Sequence, residues 1–234
     1  ALFHSSRNSE ELTTLEGYRE RMKDDQEQIF YLTGESRAAV ANSPHLEAFK
    51  DRDYEVLYFI DPVDELVVQH LSDYRGKKLK SAGKGTVELG NDEDKSEVAR
   101  EVEEKSEAFG DLMELMQKHL DEHVKQVRLS SRLTASPACL VGAEHDYSPQ
   151  LEKLLQLGKG AGPRQRRILE LNPDHPLIER LKARFDQDAG DPLLGDCTEL
   201  LMGYALVAES SELIDPVRFN QLLADVVLAR LREH

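Results

Sequence analysis

The residues best suited to chemistry are few and scattered. His119 and His123 stand four apart in a helical stretch, with Asp121 and Glu122 between them. At that spacing two imidazoles share one helix face and could hold a metal ion. A metal site needs further ligands and none is signalled, so no metal is expected. Gly83-Lys84-Gly85-Thr86 offers the glycines and lysine of a phosphate cradle. A full phosphate loop needs eight residues of fixed spacing between a buried strand and a helix, so a flexible turn is the reading here. Ser36 and Ser43 lie near acids and His45, yet neither stands in the sharp turn that exposes a nucleophilic serine. Asp61, Asp64 and Glu65 cluster at a strand end, where α/β proteins place ligands. A turn in which Asp61 caps the next helix, with Pro62 at its first position, explains them more simply. Cys139 and Cys197 stand in apolar surroundings and read as reduced core thiols, too few for a disulfide framework. No catalytic constellation emerges, and no enzyme is expected in this stretch. The alternative is a small-molecule-binding α/β enzyme domain using Asp61, Asp64 and Glu65.

The elements that position these groups divide the chain in two. Over residues 1–90, a polar helix at 15–22 leads to a strand at Ile29–Leu32, a helix at 36–42 and another at 45–50 begun by Ser43-Pro44. A strand at Tyr54–Ile60 and a helix at Val63–Leu71 follow, then a strand at Lys77–Ser81. Strand and helix alternating at these separations predict βαβ units around a parallel sheet, a small α/β/α segment. Residues 91–107 hold eight acidic and three basic residues and read as a solvated helical start at the boundary. The helix continues through Phe109, Leu112, Met116 and Leu120, spaced three and four apart. Residues 91–234 then form a mixed α/β domain. It has strands at 124–130, 138–141 and 168–171 and helices at 147–157 and 177–185, and it ends in helices at 193–209 and 216–232. The fold class is α+β or α/β, closing on a helical hairpin.

That hairpin is strongly apolar. Asp215-Pro216 is a clean helix start, and Phe219, Leu222, Leu223, Val226 and Val227 follow in a broad stripe. The preceding helix contributes Leu200, Leu201 and Tyr204, with Gly203, Ala205 and Ala208 small enough for close approach. The stripe must pack either on its own sheet or on a second copy, where two hairpins would make a four-helix bundle. The helix at 147–157 carries Tyr147, Leu151, Leu154 and Leu155 between Gly142 and Gly158, Gly160 and Gly162. Flanking glycines suggest loose tethering and an apolar recognition surface; an ordinary core helix is the alternative.

Composition narrows the partners. With 32% charged residues and a net charge of −15, the chain shows no clustered basic face for nucleic acid, and an anionic membrane would repel it. No apolar run approaches the roughly 18 residues that span a bilayer. The opening Ala1-Leu2-Phe3-His4-Ser5-Ser6 has no signal-peptide pattern. A cytoplasmic setting is expected.

Several strings then occur in a telling order: Tyr31-Leu32-Thr33-Gly34-Glu35-Ser36, Asn42-Ser43-Pro44-His45-Leu46-Glu47, Tyr54-Glu55-Val56-Leu57, Asp61-Pro62-Val63-Asp64-Glu65 and Gly76-Lys77-Lys78-Leu79. Val127-Arg128-Leu129-Ser130-Ser131-Arg132-Leu133, Ser136-Pro137-Ala138 and Leu171-Asn172-Pro173-Asp174-His175-Pro176 complete them. Together they closely resemble the ninety-kilodalton heat-shock chaperone family in its bacterial type, across essentially the whole chain. The resemblance implies that residues 1–90 are the last α/β part of a middle domain and 91–234 a C-terminal dimerisation domain. It implies a homodimer through Leu200, Leu201, Tyr204, Phe219, Leu222, Leu223, Val226 and Val227. Partly folded client proteins would be held at Leu66, Gln69, Tyr147, Leu151, Leu154 and Leu155. ATP and magnesium would belong to an N-terminal domain of the parent, leaving no cofactor in this fragment. The chain ends Leu231-Arg232-Glu233-His234, without the acidic tail that recruits tetratricopeptide co-chaperones in cytosolic eukaryotic members. A scaffold that dimerises without touching clients is the remaining alternative.

Overall fold

A computed structural model describes residues 1–8, 11–159 and 165–232, without the side chains of Glu65, Leu154 and 156–159. Chain order begins β1 (His4–Ser5), α1 (Leu15–Glu20), β2 (Gln28–Thr33), α2 (Arg37–Ala41), a 3-10 turn (Pro44–Leu46) and α3 (Glu47–Asp51). It continues with β3 (Leu57–Phe59), α4 (Asp64–His70), β4 (Asp73–Tyr74) and β5 (Lys77–Ser81). The long helix α5 (Asp92–His119) leads into β6 (Val124–Leu129), β7 (Ala138–Val141), α6 (Pro149–Lys159) and β8 (Arg167–Leu171). Helices α7 (Pro176–Gln187), α8 (Pro192–Ala208) and α9 (Pro216–Arg232) complete it.

The first sheet runs β1-β3-β2-β5-β4. Its centre, β3-β2-β5, is parallel, as the alternation of strand and helix predicts. The antiparallel edges β1 and β4 are two residues each, too short to leave a pattern in the sequence. Parallel strands covered on both faces are apolar on both. Ile29, Tyr31, Leu57 and Phe59 therefore pack with Phe3 and Tyr18 on one side. Phe30, Leu32 and Tyr58 pack with Val40, Leu46 and Phe49 on the other. The expected strand over Tyr54–Ile60 pairs only at Leu57–Phe59; the Tyr54 hydroxyl instead donates to Asp25 and accepts from Gly90 N–H. Nor does Asp61 cap α4. Its carboxylate accepts from Val63 N–H at 3.1 Å and that of Asp64 accepts from Asp61 N–H at 3.1 Å, so the turn closes on itself. α4 starts after it without a side-chain cap.

The second sheet runs β6-β8-β7, with β8 parallel to β6 and antiparallel to β7. One face lies under α5, α7 and α8. There Leu129, Leu140, Leu169 and Leu171 meet Leu112, Met116, Ile178, Leu194 and Leu201. Residues of opposite parity, Cys139, Val141 and Ile168, form a small cluster on the other face. Glu170 shares that parity, and its carboxylate is held there by Arg128 and Arg132. α5 is one unbroken helix of 28 residues, opened by a capping box between Asn91 and Asp94. Its fully buried residues, Leu112 and Met116, lie in its last third, with Val102 and Phe109 packed at the edge of the core. α9 starts as expected: the Asp215 carboxylate accepts from Val217 and Arg218 N–H at 3.0 and 2.9 Å.

Candidate interaction surfaces and the junction between the sheets

α8 is a core helix, with Leu194, Leu201, Met202, Ala205 and Leu206 buried. α9 lies on it where Gly203 leaves room: a Cβ there would collide with the Phe219 ring. Arg218 secures the crossing, pairing with Asp196 at 2.5 Å and Glu199 at 3.0 Å. The eight residues of the expected interface then separate. Leu201 and Leu222 are buried within the chain, and Leu200 and Phe219 are half-buried. Tyr204, Leu223, Val226 and Val227 are exposed, and so are Val207, Val217, Leu228 and Leu231. Leu222 is the one buried side chain of α9, while Val226 is 50% and Leu231 69% accessible. A terminal helix with this much open apolar surface is well beyond the scattered exposed leucines of an ordinary protein surface.

The other expected surface is split as well. Leu66 and Gln69 are exposed on α4, beside exposed Val63. Tyr147 and Leu155 are exposed at α6, whereas Leu151 is buried and presents nothing outward. The Leu154 side chain lies outside the described residues, as do Gly160 and Gly162. The loose tether expected at Gly142 is not found. Its N–H donates to Gly83 O at 3.0 Å and its carbonyl accepts from Gly85 N–H at 2.9 Å. Asp146, paired with Lys125, accepts from Ala143 N–H, and Ser148 Oγ accepts from Leu151 N–H at 3.0 Å. Glu152 pairs with Arg167, and Lys153 with Glu35. Capping and ion pairs override the freedom the glycine offers.

Between the two sheets the contacts are polar. The Glu47 carboxylate, from α3, accepts from the N–H groups of Thr134, Ala135 and Ser136 at 2.7, 2.8 and 3.1 Å. In return Arg132, fully buried beyond β6, donates to the carbonyls of Ala82 and Gly85. Its Nε donates to Glu170 at 2.9 Å, and Arg128 and Ser130 each donate to the same carboxylate at 2.7 Å. Burial alone would raise the Glu170 carboxyl, but the Arg132 and Arg128 guanidiniums outweigh it and hold it below the usual glutamate value. Glu47 is likewise held low: burial opposes the charge, and the hydrogen bonds from 134–136 prevail. Glu209 at the end of α8 goes the other way, pushed up by burial despite Arg167. None of Glu47, Arg132 and Glu170 stood out as a site in the sequence. The available signal was Glu170 itself, a charge inside the apolar run Ile168-Leu169-Glu170-Leu171, which demands a buried partner.

The chemistry-bearing residues have structural occupations. α5 ends at His119, so His123 lies in the turn beyond it and the two do not share a helix face; His119 Nε2 instead contacts Glu199 at 3.2 Å. Among the described residues no group of three His, Cys, Asp or Glu side chains could hold a metal. Ser36 and Ser43 cap helices through Ala39 and His45 N–H. The 83–86 turn is pinned rather than flexible: Gly85 takes φ +60°, where glycine is favoured, and its carbonyl receives two arginines. Cys139 and Cys197 are free thiols, both raised by burial.

These features define a two-sheet α/β protein that carries an apolar helical hairpin. The sequence pattern of the family described as Hsp90 protein matches residues 1–233. Chaperone protein HtpG of Frankia casuarinae is 49% identical over 94% of this chain and 34% of its own length. HtpG of Rhodococcus jostii is 48% identical over 95% and 35%, and that of Geobacter metallireducens 45% identical over 97% and 35%. The chain belongs to the Hsp90 family, and it spans about a third of the length of these curated relatives.

Proposed function

We propose that this stretch is the self-association and client-holding part of an ATP-dependent Hsp90-type chaperone. Residues 1–90 would end the middle domain, and 91–234 would form the dimerisation domain. The open apolar face of α9 carries the reading. Tyr204, Leu223, Val226 and Val227, with Val207 and Leu231, are exposed in the single chain. A second copy is the fitting occupant, because a two-fold axis sets the same patch against itself and two hairpins close a four-helix bundle. Tyr147 and Leu155, and Leu66 with Gln69 on α4, are the exposed residues we assign to client contact, with buried Leu151 fixing α6 from beneath. ATP and magnesium belong to the rest of the parent chain in this reading. The free thiols Cys139, buried, and Cys197, half-buried, favour the reducing cytoplasm in this reading.

Light scattering over a dilution series should report a dimer at micromolar concentration; a strict monomer there refutes the bundle. Leu223→Glu with Val226→Glu should give a folded monomer, since both are exposed in the single chain and a buried unpaired charge costs several kcal/mol in the dimer. Leu222 is unsuitable for this purpose because it is buried in each chain.

A further inference from the structure

We infer that Glu47 and Arg132 form a two-way polar latch that sets the angle between the two sheets, with Glu47 as its release point. Three observations support it. First, the buried apolar clusters of the first sheet and those of the second share no member. Apolar faces tolerate sliding, whereas a buried hydrogen-bond network is satisfied in one geometry and costly when half made. Second, the contacts cross in both directions. A carboxylate from the first unit fills a cradle of three N–H groups in the second. A guanidinium from the second grips two carbonyls of the first, and Ala48 N–H donates to Arg132 O at 3.1 Å. Third, the two ends differ in access: Arg132 and Glu170 are buried, while Glu47 is only half-buried. The junction therefore opens from the Glu47 side, where water can replace the carboxylate, and closes onto a preformed Arg132–Glu170 pair. The inference rests on these contacts alone and holds whether or not two copies associate.

Amide hydrogen exchange on Glu47→Ala and Glu47→Gln tests it. Removing a charged acceptor of three N–H groups should accelerate exchange by about tenfold or more. The acceleration should include Thr134, Ala135 and Ser136, which lose their acceptor. It should also reach the Gly85 and Gly142 amides, which bridge the junction through other bonds. Core amides of β2 and β8 should keep their wild-type protection. Glu47→Gln, which retains one carbonyl oxygen, should fall between. A rise confined to 134–136 would make Glu47 a local cap and overturn the latch. An equal rise in β2 and β8 would make it a general stabiliser, which overturns it as well, as would no change.

Discussion

His45 sits where the two sheets meet, and burial, reinforced by the nearby Arg132 guanidinium, pushes its imidazole down to about 3. Glu170 and Glu47 pull the other way and Arg167 adds to the depression. In the unfolded chain the same group titrates near 6.5. Below that value the unfolded chain takes a proton that the folded one refuses. The stabilisation is thus complete above about 6.5 and is lost progressively as pH falls toward 3. At pH 5.5 the loss amounts to about 1.4 kcal/mol. Glu209, with its raised carboxyl, works in the opposite sense, its burial penalty easing as pH falls through its folded value. Glu47 and Glu170, held low, lose their contribution only below the unfolded glutamate range. Urea unfolding at fixed protein concentration should therefore show a drop between pH 7.5 and 5.5 that His45→Gln largely abolishes. An equal drop in the variant would mean that His45 is accessible to protons in the folded state. Ser43, two residues before this histidine, was legible as a helix cap from the sequence, since Ser-Pro before a helix has one inexpensive use. Arg132 and Glu47 were not, because a lone charged residue announces a partner only once its burial is known; Glu170, inside an apolar run, signals the need for a partner without naming it.

Most elements follow from local pattern. β7 and α9 coincide with the expected 138–141 and 216–232, because uniform apolarity marks the one and Asp-Pro and a stripe of period 3.6 mark the other. What local pattern could not convey is which half of a stripe faces inward: α9 reads as one apolar face, and only packing against α8 separates Leu222 from Leu223. The tether expected at Gly142, before α6, fails for a related reason. Gly142 is permissive in isolation, but its two backbone bonds to the 83–85 turn come from a segment almost sixty residues away. The start of α6 is accordingly fixed, and its outward residues can be altered without disturbing that seat. Tyr147→Ser with Leu155→Ser should weaken suppression of aggregation of a model client while leaving thermal unfolding nearly unchanged, as substitutions on exposed positions do. Suppression equal to the parent would place the client surface elsewhere, or favour a scaffold that touches no client.

At the scale of the whole molecule, net charge −15 works to keep individual chains apart, while in the proposed dimer the open hairpin would draw two of them together. Those opposing terms predict a dimer that does not grow further once the α8–α9 face is covered. With nucleotide chemistry assigned to the remainder of the parent, a thermal shift with magnesium and ATP should leave the melting temperature of this stretch unmoved. A saturable rise would reveal a site here by mass action. None of the described helices is long and apolar enough to cross a membrane.

The unbroken α5 has a mechanical consequence. Twenty-eight helical residues make a rod about 42 Å long. Near its start Lys95 pairs with Glu27 just before β2, and at its end His119 meets Glu199 on α8, itself bound to Arg218 of α9. A tilt of about 10° about the near end would carry the far end through about 7 Å, more than one helical turn's rise. Because α5 shares one core with α8, any rotation at the first sheet that turned the rod would be carried to the hairpin enlarged by the rod's length.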